Sequence, residues 1–347
     1  MKNISFWCFI VATVGTCHAL ASIRAAVYQS PPPVATDNPL SILIQATDAL
    51  NVASKHGVQL VLFPELFLSD PLDRESQPLN IIGNVCSELN IACVIGYCEK
   101  RHESEKKAGI EDQSNYNSLA AFNADGTRAG NYRSSAITPE QPFLPSHPFV
   151  ELMPLKLQLP TSETPQELRV GMLLGNDILT PESCRHLTRS GSELLLVAAS
   201  MQEENIVKQV VQTRAFENKV PLLFSNYVGK SEKSVCDQDK IAVPTWIGSS
   251  AIISEAGKEL VGAPCEVGGD MPNDEGYLLL CDSGELYAAD IEISPQKGRN
   301  KSVEESLKHW MLEVKPLGNT GKREKKGFRK DIFLTKETRR KAKTRRK

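Results

Sequence analysis

The amino-acid sequence predicts an α/β domain built on mixed sheets, and three observations carry that prediction. Apolar runs of strand length recur at 22–29, 58–67, 91–100, 168–174, 192–200, 220–229 and 285–293. Some are separated by segments of helical periodicity and others by tight turns alone, so parallel and antiparallel pairings must coexist. The third observation is bulk. With 347 residues, 41% of them hydrophobic and 24% charged, the chain has ordinary globular composition and length enough to bury a substantial core.

Each element has a local reason. SIRAAVYQ (22–29) is a first strand, followed by the Pro-rich loop SPPPVATDNP. LSILIQATDALNVASKHG (40–57) carries apolar residues at helical spacing and stops at Gly57. VQLVLFPELF (58–67) is a buried strand whose pattern breaks at Pro64, and a helix over 74–90 leads to the strand 91–100. RHESEKKAGIEDQ (101–113) is a solvated excursion. The run 116–135 is a hairpin turning at Ala124-Asp125-Gly126, with the Pro-rich TPEQPFLPSHPF after it.

A hydrophobic strand (168–174) then enters the tight turn Gly175-Asn176-Asp177. Thr180-Pro181-Glu182 opens a helix, with a cap, a proline at the first helical position and an acid near the positive end. Gly191 closes that helix; 192–200 is a strand, 205–219 a helix and 220–229 a strand. GSSAIISEAGKELVGAP (248–264) is a hairpin turning at Glu255-Ala256-Gly257, and ELYAADIEI (285–293) is the last core strand. No boundary interrupts residues 22–293. Residues 294–317 form a helical extension containing SVEESLKHWMLEV, and 318–347 a basic tail.

The two ends differ from the body. Lys2, the apolar run ISFWCFIVATVG and the small residues Ala19 and Ala21 have the order of a secretory signal peptide over 1–21, leaving Ser22 first. A cytosolic protein with an apolar extension is the alternative. The sequon Asn300-Lys301-Ser302 survives such a cut. From Lys322 to Lys347 there are 14 Lys or Arg against 3 Asp or Glu, so a net charge of -2 conceals an acidic body near -13 and a tail near +11. Such a tail suits an acidic partner, with nucleic acid and anionic membrane as further options. The nine cysteines show no zinc or redox spacing. Cys86, Cys93, Cys98, Cys184 and Cys281 sit in apolar settings that suit reduced thiols, and Cys236 and Cys265 are candidates for pairing.

Five blocks, in order, resemble the nitrilase superfamily of carbon–nitrogen hydrolases. GVQLVLFPELFLSD is similar to the segment with that family's catalytic Glu, here Glu65, and YNSLAAFNADGTRAGNYRSS to the hairpin leading to its Lys. VGMLLGNDILTPESCRHLTRSGSELLLVAAS resembles its nucleophile segment, and TRAFENKVPLLFSNYVG and GSSAIISEAGKEL its next two blocks. The resemblance covers residues 23–293. It implies an α-β-β-α sandwich that dimerises through a helical face, a small amide-like ligand, and neither cofactor nor metal.

It also implies a chemistry that this chain departs from. In the family a Cys thiolate attacks a nitrile or amide carbon, a Glu moves the protons, and a Lys stabilises the developing charge. Here the Glu position holds Glu65, the Lys position after Tyr132-Arg133 holds Ser134, and the Cys position before Asn176-Asp177 holds Gly175. Glycine has nothing to attack with, and serine offers no cation. The pattern is that of a pseudoenzyme acting in binding or scaffolding. The rival is an active hydrolase of carbon–nitrogen bonds with reassigned residues, and an ordinary amidase disguised by a sequence error is a third reading. Ser134, Ser135 and Cys184 are the substitutes such reassignment offers, Cys184 doubling as a packing residue. A buried Glu65 is either protonated or held by a donor, with Ser134 and Arg133 as candidates. Arg133, Asn176 and Asp177 are pocket candidates, the last two being equally suited to bonding their own turn. Glu217 is suited to capping or to an ion pair with Arg214, three residues back on its helix.

Overall fold

Sequence alternation is what separates the layers of this protein. The structure, a computed structural model, describes residues 21–33, 39–102, 115–137, 141–145, 152–160, 166–230, 235–237, 240–242, 245–265 and 276–294. In β1 (Ala21–Gln29), Ile23, Ala25 and Val27 join one apolar core, while Ala26 and Tyr28 join a second. Both faces of the strand are therefore buried, which is why its sequence reads as a continuous apolar run.

After β1 come α1 (Pro39–Lys55), β2 (Leu60–Leu62), β3 (Leu68–Leu72), α2 (Gln77–Leu89), β4 (Ala92–Glu99), β5 (Tyr116–Phe122) and β6 (Arg128–Arg133). Gly57, at φ +71°, turns the chain out of α1, and Asn90 ends α2 in the left-handed region with its N–H on the Cys86 carbonyl. The second half runs β7 (Leu155–Leu159), β8 (Gln166–Leu174), α3 (Pro181–Arg189), β9 (Leu194–Ala198), α4 (Glu204–Asn218), β10 (Leu222–Ser225) and β11 (Val228–Lys230). It continues through β12 (Val235–Asp237), β13 (Lys240–Ala242), β14 (Thr245–Ile247), β15 (Ala251–Ile253), β16 (Glu259–Gly262), β17 (Tyr277–Leu280) and β18 (Glu285–Ile293).

One sheet has the order β17-β18-β1-β2-β4-β5-β6, with β3 beside β4; the other has the order β16-β15-β10-β9-β8-β7. Both mix parallel pairs, such as β1 with β2 and β8 with β9, with antiparallel ones. The first core lies between the sheets and extends through the second sheet to Cys184 and Leu187 of α3 and Val211 and Ala215 of α4. The other core packs the far face of the first sheet on Leu50 of α1 and Leu79 and Ile82 of α2. The layers run helix, sheet, sheet, helix, the sandwich that the resemblance implies.

Most expected elements match within two or three residues, but the expected strand 220–229 is divided into β10 and β11, the short strands β12, β13 and β14 fall where none was expected, and two further differences have clear physical reasons. The expected strand 58–67 is split into β2 and β3, because Pro64 lacks an N–H and Leu66 takes φ +53°. The edge strands β7 and β17 were not anticipated. LKLQL carries two long polar side chains in five positions, and YLLL lies next to the loop CDSG. Thr180 does occupy the N-cap of α3, although its side chain makes no cap hydrogen bond. The signal peptide up to residue 20, the sequon, the helical extension and the basic tail lie outside the described residues, as does the side chain of Cys236. Among the described residues no helix is long and apolar enough to cross a membrane.

Candidate active site

The site is built where strands of both sheets end. Beyond β2 the chain turns sharply at 64–66, and Gly96 of β4 makes the turn possible. A Cβ at position 96 would lie 2.3 Å from the Pro64 carbonyl oxygen and 2.6 Å from the Leu66 nitrogen, closer than real contacts allow. The turn leaves Glu65 buried at 3% exposure. Asn117 Nδ2 of β5 donates to its Oε1, and Ser200 Oγ, just beyond β9, donates to its Oε2 at 2.9 Å. No ion pair reaches Glu65 among the described residues. Burial pushes its carboxyl above the usual carboxylate range, the bonds from Ser200 and Asn117 pull it back, and the nearby Asp177 adds to the rise.

Facing Glu65, β8 ends in a 3-10 turn over Gly175–Leu179. Gly175 has φ +44°, and a Cβ built on it would stand 2.8 Å from Glu65 Oε2 and 3.1 Å from Oε1. A side chain at this position would therefore point straight at the carboxylate. Asp177 fixes the turn. It is fully buried and accepts from Tyr132 Oη at 2.7 Å, the Leu174 N–H at 2.9 Å, the Ala136 N–H at 2.8 Å and the Ser135 Oγ at 3.1 Å. Burial raises its pKa against these bonds, which favour the anion. Arg214 closes the far side of the turn, its guanidinium donating to the carbonyls of Ile178 and Leu179 and pairing with Glu217 at 3.0 Å.

A cavity of about 290 Å³ opens beside this pair of turns. Glu65, Gly175, Asn176 and Ser200 line it, Leu179 and Met201 add apolar surface, and Glu203 brings a second carboxylate. Three expected site residues are placed elsewhere. Arg133, expected in the pocket, pairs with Glu99 at 2.6 Å and stacks over Tyr116 with its guanidinium carbon 3.7 Å from the ring centroid. Asp177, expected to line the pocket, is the buried clasp described above. Ser134 lies 3% exposed and directs its hydroxyl to Asp177 Oδ1 at 3.4 Å rather than to Glu65. Neither Ser134 nor Arg133 supplies the donor that Glu65 needs. Cys184 is buried in α3 with its thiol pushed by burial up to about 12, as a packing residue should be. Glu99 anchors a separate cluster, accepting from Arg133, Arg74, Ser118 and Asn131, which hold its carboxyl at about 2 despite burial.

Asn117 and Ser200, the two residues that hold Glu65, are missed by the sequence reading. Asn117 had a signal. It shares the parity of Leu119 and Ala121, which face the inter-sheet core, so a polar side chain there is out of pattern. Ser200 lies just beyond the end of β9, which is where open α/β sheets place ligand-contacting groups. Among the described residues no three His, Cys, Asp or Glu side chains gather as metal ligands.

The family model for carbon–nitrogen hydrolases matches residues 24–267. The chain belongs to the carbon–nitrogen hydrolase family. It is 27% identical over 277 residues to a protein of Pseudomonas protegens named "Hydrolase in pqqF 5′ region", covering 70% of this chain and 85% of that one. It is 23% identical over 225 residues to the N-carbamoylputrescine amidase of Solanum tuberosum, covering 56% of this chain and 68% of that one. Among solved structures, the amidase from Nesterenkonia sp. superposes with a TM-score of 0.58 at 19% identity, covering 83% of this chain and 96% of that one. A carbon–nitrogen hydrolase from Helicobacter pylori G27 does so with 0.58 at 19%, covering 84% and 94%. At that identity the likeness is one of fold, and it agrees with the mixed-sheet sandwich seen in this carbon–nitrogen hydrolase.

Proposed function

We propose that this carbon–nitrogen hydrolase-family chain has lost Cys-dependent hydrolysis of amides and nitriles and acts as a pseudoenzyme, its cavity serving to bind a small amide-like ligand or to scaffold a partner. The observation that carries the reading is the aim of position 175. Its Cα–Cβ direction meets the Glu65 carboxylate at 2.8 Å, so the nucleophile frame stands intact and the glycine leaves it without a reactive atom. A Glu-to-Gln mutant of the amidase from Nesterenkonia sp. AN1, by contrast, shows Michael addition of acrylamide at its active site cysteine. Among the described residues no cation pairs with Glu65, and this points the same way, since the donors described here are neutral. A homodimer, a secretory route through residues 1–21 and an acidic partner for the basic tail complete the proposal.

One observation favours a second reading, an amidase with reassigned chemistry. Ser200 Oγ donates to Glu65 Oε2 at 2.9 Å and lines the cavity, whereas Ser134 does not reach that carboxylate. Ammonia release from a panel of amides and nitriles separates the two. The expected result is no turnover above that of Glu65→Gln. Turnover that vanishes in both Glu65→Gln and Ser200→Ala establishes the second reading instead. The double substitution Gly175→Cys, Ser134→Lys restores the family's residue types, and a gain of hydrolysis of at least one panel member is the expected outcome once the Glu65 side chain shifts to admit the new Cβ.

A further inference from the structure

We propose that Cys86 and Cys93 are a redox pair. They close to a disulfide when the chain folds in the presence of a small-molecule disulfide such as oxidised glutathione, and stay two thiols when it folds without one. The proposal is independent of the reading of the cavity.

The backbone brings the two residues together. Cys86 lies in the last turn of α2 and Cys93 near the start of β4. Between them Asn90 takes φ +49°, and the Ile91 N–H returns to the Cys86 carbonyl at 3.0 Å. β4 then enters the first sheet, with Cys93 opposite Val61 of β2 and Phe122 of β5. Side chains alternate along a strand, and Cys93 shares the parity of Ile95, which faces the core under α1 and α2. On α2, Cys86 follows Leu79 and Ile82 at helical spacing and faces the same core.

The outcome is sulfur against sulfur. Cys86 Sγ donates to Cys93 Sγ at 3.5 Å, and both residues are fully buried. A disulfide bond is about 2.05 Å long, so closure needs an approach of about 1.5 Å, which opposed rotations of the two side chains can supply. Burial pushes the Cys93 thiol well above its ordinary range, and the Cys86 sulfur beside it adds to the rise. Exchange proceeds through a thiolate, so the closed core preserves whichever state it traps. The bond therefore forms while the chain folds and the thiols still meet solvent. One protein thiolate attacks the small disulfide, releases one small thiolate and leaves a mixed disulfide. The other attacks the protein sulfur of that mixed disulfide and releases the second. Two protein thiols are oxidised, one small disulfide is reduced to two thiols, and the two protein protons pass to the leaving thiolates. The link fastens the end of α2 to β4, the strand whose Gly96 admits the turn that carries Glu65.

Refolding the full-length chain from urea with oxidised glutathione tests this. After acid quench, free thiols are alkylated in denaturant and the chain is cleaved after Glu88, which separates Cys86 from Cys93 and Cys98. Mass spectrometry is expected to find Cys86 linked to Cys93 in most chains, with Cys98 alkylated. Dithiothreitol is expected to reduce the link at least about tenfold more slowly in native buffer than in urea, as a bond sealed in the core requires. The urea midpoint of the linked chain is expected to fall when reductant is added, and that of Cys93→Ala to be indifferent to reductant. Complete alkylation of Cys86 and Cys93, pairing of either with another cysteine or with glutathione, equal reduction rates in the two solvents, or an unmoved midpoint each overturn the proposal. If Cys93→Ala fails to fold, the peptide map and the reduction rates of the unmodified chain decide.

Discussion

At Gly175 the backbone and the site make the same demand. The φ of +44° disfavours any L side chain, and a first side-chain carbon would come to 2.8 Å from Glu65 Oε2. Gly175→Ala is therefore expected to cost about 2 kcal/mol in chemical denaturation, with part of that recovered when Glu65 is also shortened to Ala. A cycle that shows the two costs to be additive would place the strain in the backbone alone. Glu65, Ser134 and Gly175 were legible through the ordered blocks that resemble the nitrilase superfamily, and at Gly175 the strand running into a Gly-Asn-Asp turn stands out by itself. Arg133 was misplaced although the sequence held the answer. Strand side chains alternate, and Tyr132 belongs to the inter-sheet core, so its neighbour Arg133 faces the other way, toward Glu99. Ser200 and Asn117 were not legible, since they meet Glu65 across 135 and 52 residues of chain. That meeting depends on which strands lie side by side.

The elements β4, β5 and β6 are cross-linked by the Glu99 cluster, and this gives the sheet a defined acid response. Glu99 sits at the end of β4 and accepts from Ser118 of β5 and from Asn131 and Arg133 of β6. Its folded pKa of about 2 lies below the ordinary 4.5. A depressed carboxyl stabilises the folded state above the unfolded pKa, and the contribution disappears as pH falls from 4.5 through 2. The expected size is on the order of 3 kcal/mol. Glu99→Gln is expected to be less stable than the unmodified chain at pH 7 and to lose less on acidification, as followed by urea unfolding across that window. A parallel pH dependence in both proteins would assign the acid response elsewhere. At this scale the sequence was informative for elements buried on both faces, whose apolar runs cannot be read otherwise. It was weak for β7, where Leu155, Leu157 and Leu159 alternate with Lys156 and Gln158 over only five residues.

Among the described residues, the domain is closed by pairing its first strand with its last. All nine residues of β1 pair with β18, from Ala21 opposite Ile293 to Gln29 opposite Glu285, and Arg24 binds Asp290 at 2.8 Å across the same seam. A chain stopped at residue 284 loses a central strand of the first sheet, leaving β1 with β2 as its one partner. It is expected to show no cooperative thermal transition by circular dichroism, and a sharp transition in such a chain would contradict a single closed architecture. The family blocks in the sequence were sufficient to predict the sandwich, but the seam itself needed the pairing of two strands separated by most of the chain. Because those strands run antiparallel in full register, residue 21 and residue 293 finish beside each other. A linker of a few residues would join them into a ring, and the ring could be reopened at the partly exposed turn 254–258 with every sheet neighbour preserved. Circular permutation should thus be open to this protein, since the order in which its backbone is threaded is separable from the arrangement of its layers.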